Sequence, residues 1–413
     1  MKKFSFLTLL LVIGLVAAGC SNDTSGGAEG EVGGEITVWA HPFTGDAEKE
    51  EEMWDKISTS FQEEYDAEVN IEIIPWANRD QKILTALAAN NGPDVFYAIP
   101  DQMPQYADVG MLLELDPYLE GYDMDDFVDS ALVSTTWKDK LYGLPILQSV
   151  DTLFYNKSVI EAIGEDPENL PETWKEFEAW AVKAKEQGFY ATSFQGGGSM
   201  NNTLYPYIWQ AGGDIVSADN EVLINGEGGV EAFSFINKMY KNGWIPEDSV
   251  TAMEQNALWE DGQMLAILGS GNTLANLQNK GKIDFVIGPP LKNKKQAAYG
   301  TTGMFVVPSN TDNPATAAEF VKTLTNAENQ RTFNKVTQYI PARESSKDIF
   351  DEQPFLSQLA SYTQYTLPGV INPKGRDIMP MIQAQLQAML EGDVTPQEAA
   401  DAAAEAIEGA VSQ

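Results

Sequence analysis

From Glu35 onward, short apolar runs alternate with segments whose apolar residues recur every three or four positions. This alternation restricts the chain to an α/β architecture. Glu35 to Ala40 (EITVWA) predicts a strand, and Met53, Ile57, Phe61 and Tyr65 share one face of a helix over about 46–65. Val69 to Ile74 predicts the next strand, Gln81 to Ala89 the next helix, and Pro93-Asp94-Val95-Phe96-Tyr97 a third strand entered through a turn. Two consecutive β-α-β units make a parallel sheet with right-handed crossovers the expected start of the fold. A second series follows Pro145. Thr173 and Glu176 have the spacing of a capping box and predict a helix running to about Gln187, with Gly188 ending it. Further helices are expected over 204–211, 230–241, 252–261 and 272–279, and strands over 265–268 and 284–287. Thr395-Pro396-Gln397-Glu398 opens an alanine-rich final helix. No internal repeat of fixed period is visible.

The N-terminal residues do not belong to this pattern. Lys2 and Lys3, an apolar run from Phe4 to Ala18 and then Gly19-Cys20 follow the order of an export signal, and the run is too short for a stable spanning helix. Ala17-Ala18-Gly19-Cys20 resembles the lipobox of bacterial lipoproteins, which implies cleavage after residue 19 and lipidation of Cys20. Residues 20–34 are small, polar and glycine-rich, so they are expected to be a tether holding a folded domain at the outer face of the cytoplasmic membrane. With one cysteine no internal disulfide can form, so the remainder, 43% hydrophobic over the whole chain, must be stabilised by packing and is long enough for two domains.

The formal net charge is −35, and the only arginines are Arg79, Arg331, Arg343 and Arg376. Nucleic acid is therefore excluded as a partner, because phosphate neutralisation needs clustered basic side chains. Polyanionic ligands are disfavoured for the same reason. The acidity is a solubility feature or, alternatively, an attraction for a cationic solute.

Several segments in order then resemble one family. They are Gly92-Pro93-Asp94-Val95-Phe96; Tyr142-Gly143-Leu144-Pro145 with Leu153-Phe154-Tyr155-Asn156-Lys157; and Trp174 after Leu170-Pro171-Glu172-Thr173. Ala211-Gly212-Gly213, Gly262 to Ile267 with Gly269, and Ile340-Pro341-Ala342-Arg343 complete the set. Together they resemble the extracellular solute-binding proteins of ABC importers, in particular the maltodextrin and multiple-sugar binding group (family 1 lipoproteins). The resemblance implies a type II periplasmic-binding-protein-like fold of two α/β lobes. Each lobe would be a mostly parallel sheet flanked by helices, with the ligand in the cleft between them. It divides the chain into a first lobe of 35–145 with 296–344 and a second of 146–295 with 345–413, hinged near 146–149 and 288–291. It also implies a monomer that captures a neutral sugar by hinge closure and delivers it to the transmembrane subunits of a permease, with no cofactor and no metal.

Sugar recognition needs aromatic faces against the C–H face of a pyranose and planar polar groups for its hydroxyls. Three successive strand ends offer that mixture: His41 and Phe43 after the first, Trp76 after the second, Tyr97 and Asp101 after the third. Each has a plainer alternative, in the core or facing solvent. In the second lobe, Gln148, Ser149 and Asp151 stand at the crossover, and Asn202 and Trp209 precede Ala211-Gly212-Gly213; Trp209 either stacks on a ligand or packs its helix inward. Gly271 and Asn272 open a helix whose free N–H groups can donate to hydroxyls. Tyr299 and Thr301 lie where the chain returns to the first lobe, and Arg376 either enters the cleft or faces solvent.

Nucleophilic and metal chemistry are poorly provided for: the one cysteine ends the signal, there is one histidine, and neither a phosphate loop nor a G-x-S-x-G turn occurs. Two alternatives stay open. A cationic solute can be held by Asp101, Asp151 and tyrosines, and a secreted glycosidase remains possible in a chain with 61 acidic residues.

Overall fold

The computed structural model describes residues 30–217 and 219–412. The expected signal (1–19), Cys20 and the tether as far as residue 29 lie outside the described residues. The last residues of the expected tether are packed rather than free. The Gly33 N–H donates to Thr316 Oγ1 at 3.0 Å, that hydroxyl donates back to the Gly33 carbonyl at 2.8 Å, Val32 lies against the first core, and Gly34 already begins the first strand.

The opening β-α-β-α-β run forms β1 (Gly34–Ala40), α1 (Ala47–Tyr65), β2 (Ala67–Ile73), α2 (Arg79–Ala88) and β3 (Val95–Ala98). Asp46 caps α1 by accepting from the Lys49 N–H, and Asp66 in the left-handed conformation ends it. β2 and β3 flank β1, both parallel to it. The remaining pairs of this six-stranded sheet are antiparallel: Thr302–Val306 pairs with β3 and with Gly143–Gln148, which in turn pairs with Ile340–Pro341. A second sheet orders Phe285–Ile287, Thr152–Asn156, Met264–Gly269 and Tyr190–Thr192, and only its last pair is parallel. The sheets are thus mixed rather than mostly parallel. Gly143–Gln148 carries the chain out of the first sheet and Thr302–Val306 brings it back in the opposite sense, so the two must run antiparallel.

These two strands also locate the crossings between lobes. Ile146 to Gln148 still belong to the first sheet, so the chain leaves it at Ser149–Asp151, beyond the expected boundary. The return lies at Gly300–Thr301 rather than at Gly288–Leu291. That proline-containing run is held by the second lobe, with the Gly288 N–H on the Leu153 carbonyl at 2.8 Å and the Lys292 N–H on the Glu172 carbonyl at 2.8 Å. A stiff segment packed along its length does not bend; the two crossings do span the gap. They lie side by side, Ser149 N–H to the Thr301 carbonyl and Asp151 N–H to the Tyr299 carbonyl, each 2.8 Å.

Each lobe has its own buried core, the first around Ile36, Val38, Phe61, Phe305 and Phe320, the second around Phe177, Ile208, Phe233, Ile382 and Ala403. The capping boxes at Thr173 and Thr395 both form, heading helices Trp174–Glu186 and Pro396–Val411. The helix expected over 252–261 is only Asn256–Glu260. Gln255 is drawn out of helical geometry because its side chain accepts from the Phe194 N–H at 2.8 Å and donates to Asp248 and Ser249.

Candidate functional site

A cavity of about 370 Å³ lies between the lobes beside the two crossings. The turn after β2 builds its first-lobe wall. Pro75 cannot continue the ladder, Asn78 takes the left-handed conformation (φ 59°) that starts α2, and Trp76 is left projecting with 38% of its surface exposed. Its indole Nε1 donates to the Pro42 carbonyl at 2.9 Å, and the Arg79 guanidinium lies over the ring, 5.0 Å from its centroid. Tyr97, at the end of β3, lines the same cavity, as does Tyr339 ahead of Ile340–Pro341.

His41 and Phe43 stand behind this wall, not in it. The His41 ring stacks on Trp76 at 4.2 Å and donates from Nδ1 to the Ile74 carbonyl at 2.9 Å; burial lowers its pKa to about 3, so it is neutral. Phe43 is fully buried, 5.0 Å from the rings of Tyr97 and Phe333. Both support Trp76 and Tyr97 from below. An aromatic at a strand end can line a cleft or prop up the residue that does, and local sequence does not distinguish these.

The crossings contribute Ser149, Asp151, Tyr299 and Thr301, and the second lobe contributes Asn202, Asn272 and Arg376, all lining the cavity. The Asn272 amide spans the lobes, donating to the Phe43 carbonyl at 2.6 Å. Arg376, at the start of helix Gly375–Glu391, is not free for a ligand. It donates from Nη1 to the buried Asp101 at 2.9 Å and from Nε to Asp80 at 3.1 Å, so two carboxylates of one lobe grip a guanidinium of the other. Asp101 also accepts from Asn201 at 2.7 Å. Asp151 is different: it pairs with no lysine or arginine among the described residues, and burial raises its pKa to about 7.

Three expected contacts lie elsewhere. Gln148 turns to the far side of the crossings, donating to Ser130 Oγ at 3.2 Å and lining a separate groove. Trp209 is buried in the second core against Tyr205, because its helix Tyr205–Gln210 turns that face inward. Gly271 packs against the other lobe, where a Cβ would collide with the Gln338 carbonyl; this close approach, not a free N–H, requires glycine. Among the lining residues, Gln195, Ser199, Met253 and Tyr339 escaped the sequence reading. None follows a strand of the opening β-α series, and their convergence depends on contacts distant in sequence. Among the described residues no cluster of three histidine, cysteine or acidic side chains could hold a metal ion, and no helix is long and apolar enough to cross a membrane.

The family model for bacterial extracellular solute-binding proteins matches residues 56–362. The chain belongs to that family. The galactooligosaccharide-binding protein of Bacillus subtilis (strain 168) is 27% identical, over 99% of this chain and 97% of its own. The maltodextrin-binding protein MdxE of the same organism is 25% identical, over 85% and 83%. Among solved structures, the Listeria monocytogenes ABC substrate-binding protein Lmo0181 in complex with cycloalternan superposes with a TM-score of 0.83 at 22% identity, over 92% of this chain and 99% of its own. The GacH receptor of Streptomyces glaucescens superposes with a TM-score of 0.81 at 20% identity, over 93% and 100%. The two-lobed fold of the solute-binding proteins is thereby this chain's fold, and the cavity described above lies between its lobes.

Proposed function

We propose that this solute-binding protein is the capture component of an ABC importer for a neutral sugar or oligosaccharide, which it hands over chemically unaltered. The observation that carries this reading is the pairing, in one interlobe cavity, of ring faces (Trp76, Tyr97, Tyr299, Tyr339) with amide and hydroxyl groups (Asn202, Asn272, Ser149, Thr301). The arginines there are already engaged by Asp80 and Asp101, which disfavours an anionic ligand. The galactooligosaccharide and maltodextrin binders among its relatives support the same ligand class.

The lobes in this reading take about 34–148 with 302–344 and about 152–299 with 345–412, the crossings at Ser149–Asp151 and Gly300–Thr301 acting as the hinge. The contacts are Trp76, Tyr97, Ser149, Asp151, Asn202, Asn272, Tyr299 and Thr301, with Arg376 and Asp101 closing the cleft rather than touching sugar. Export by residues 1–19 and a lipid on Cys20 would hold a monomer beside the permease's transmembrane subunits. A thermal-shift panel of galacto-oligosaccharides, maltodextrins, sugar acids and amines tests the ligand class. A neutral oligosaccharide at a hundred times its Kd adds about 2.7 kcal/mol of stability; stabilisation by the acids or amines alone would overturn the reading.

A further inference from the structure

Asp151 sits where the two crossings meet, its N–H on the Tyr299 carbonyl at 2.8 Å and its carboxyl in the cavity wall. The groups facing it are few. Asn202, from helix Met200–Thr203, stands beside the carboxyl and its amide favours the charged form; Tyr299 from the return crossing and Tyr339 from the first lobe are the titratable neighbours, both held protonated by burial. The charged side chains lining the cavity are committed elsewhere: Arg376 to Asp80 and Asp101, and Arg79 beside Asp80 and over Trp76. Asp151 is thus a carboxyl without a counter-ion in the cavity between the lobes, and desolvation there raises its pKa to about 7.

Two polar atoms of the same cavity lack partners. Asn202 Oδ1, an acceptor, and Thr301 Oγ1, which both donates and accepts, are buried without a hydrogen-bond partner among the described residues. Sugar hydroxyls, donors and acceptors at once, can satisfy both. A carboxylate accepts from two of them at once, whereas the neutral acid spends one oxygen holding its own proton, so hydroxyl donation favours the charged form.

We propose that Asp151 is a proton-linked specificity residue: sugar hydroxyls donate to its carboxyl and its proton passes to solvent, so that capture of the sugar releases a proton. This rests on the capture reading above and adds its regulation: affinity falls as the medium acidifies. The sign follows from linkage. Sugar lowers the pKa of Asp151, so binding is strongest above the sugar-free value and weakens as pH drops below it, by up to about tenfold per unit.

Calorimetric titration of the protein with galactotriose and with maltotriose tests this, at about pH 6.5 in phosphate and in imidazole, whose ionisation heats differ, and again at about pH 8.5. Proton release makes the apparent enthalpy differ between the two buffers at the lower pH, and Kd rises on going from the higher pH to the lower. Asp151→Asn, which preserves shape, abolishes both effects. Asn202→Ala, which removes an amide that favours the charged form, moves the pH midpoint upward. Binding with identical enthalpies in both buffers and a flat Kd overturns the proposal; failure of these and of every other neutral sugar of the thermal-shift panel to bind at either pH overturns the capture reading itself.

Discussion

Trp76 is the exposed member of a stacked group whose other members are buried, and that difference decides what each mutation does. Trp76→Ala removes a face from the cavity without opening the core, so it should weaken sugar binding by about 1–3 kcal/mol, read by calorimetry, with little change in Tm. Tyr97 does not allow the same experiment. It is 3% exposed and packed among His41, Phe43, Trp76 and Phe305, so truncation to alanine should cost about 3–5 kcal/mol of stability. Tyr97→Phe keeps the packing and isolates the hydroxyl. His41 provides a further residue-level test. Its ring is neutral down to about pH 3, whereas an unfolded chain protonates it near 6.5, so its contribution to stability is complete above 6.5 and is lost as pH falls through that interval. Asp151 acts oppositely between 3.8 and about 7, the folded chain holding the proton that the unfolded chain has lost, so a melting curve mixes the two. The resonances of the single histidine do not: they should be flat between about pH 5 and 8, and a midpoint near 6.5 would mean that the ring is exposed.

At the scale of elements, the helices and strands were legible wherever one side of a segment faces a core along its whole length. α1 was expected over 46–65 and spans Ala47–Tyr65, and the capping box at Thr173 formed because both of its hydrogen bonds are local. What failed was set by partners distant in sequence. Gln255 is claimed by Phe194 and Asp248, shortening its helix; strand direction in the sheets follows from the crossings, which periodicity does not encode. The candidate site divides in the same way. Trp76 and Tyr97 were found because strand ends of an open α/β sheet face its cleft, whereas Tyr339 and Gln195 reach the cavity through other connections. Gly271, at the start of helix Gly271–Lys280, was singled out for its N–H but serves as a point of contact between lobes. Gly271→Ala should therefore act on closure, not on either core. We expect a clear loss of sugar affinity with the melting temperature of the sugar-free protein nearly unchanged; unaltered affinity would mean that the lobes do not need this approach.

In the molecule as a whole, two lobes with their own cores are joined by the paired crossings and by a third passage after residue 344, and polar contacts bridge them across the cavity. Arg376 bridges to Asp80 and Asp101, Asn272 to the Phe43 carbonyl, and Lys49 to Asn279 at 2.9 Å. Contacts of this kind stabilise one arrangement of the lobes, and a sugar bridging both walls adds its own differential affinity for the closed form. Small-angle X-ray scattering with and without a galacto-oligosaccharide measures this directly. The radius of gyration should fall on adding sugar and stop falling at one sugar per chain, the stoichiometry found by calorimetry. Scattering that stays unchanged while calorimetry reports a saturated site would contradict capture by hinge closure.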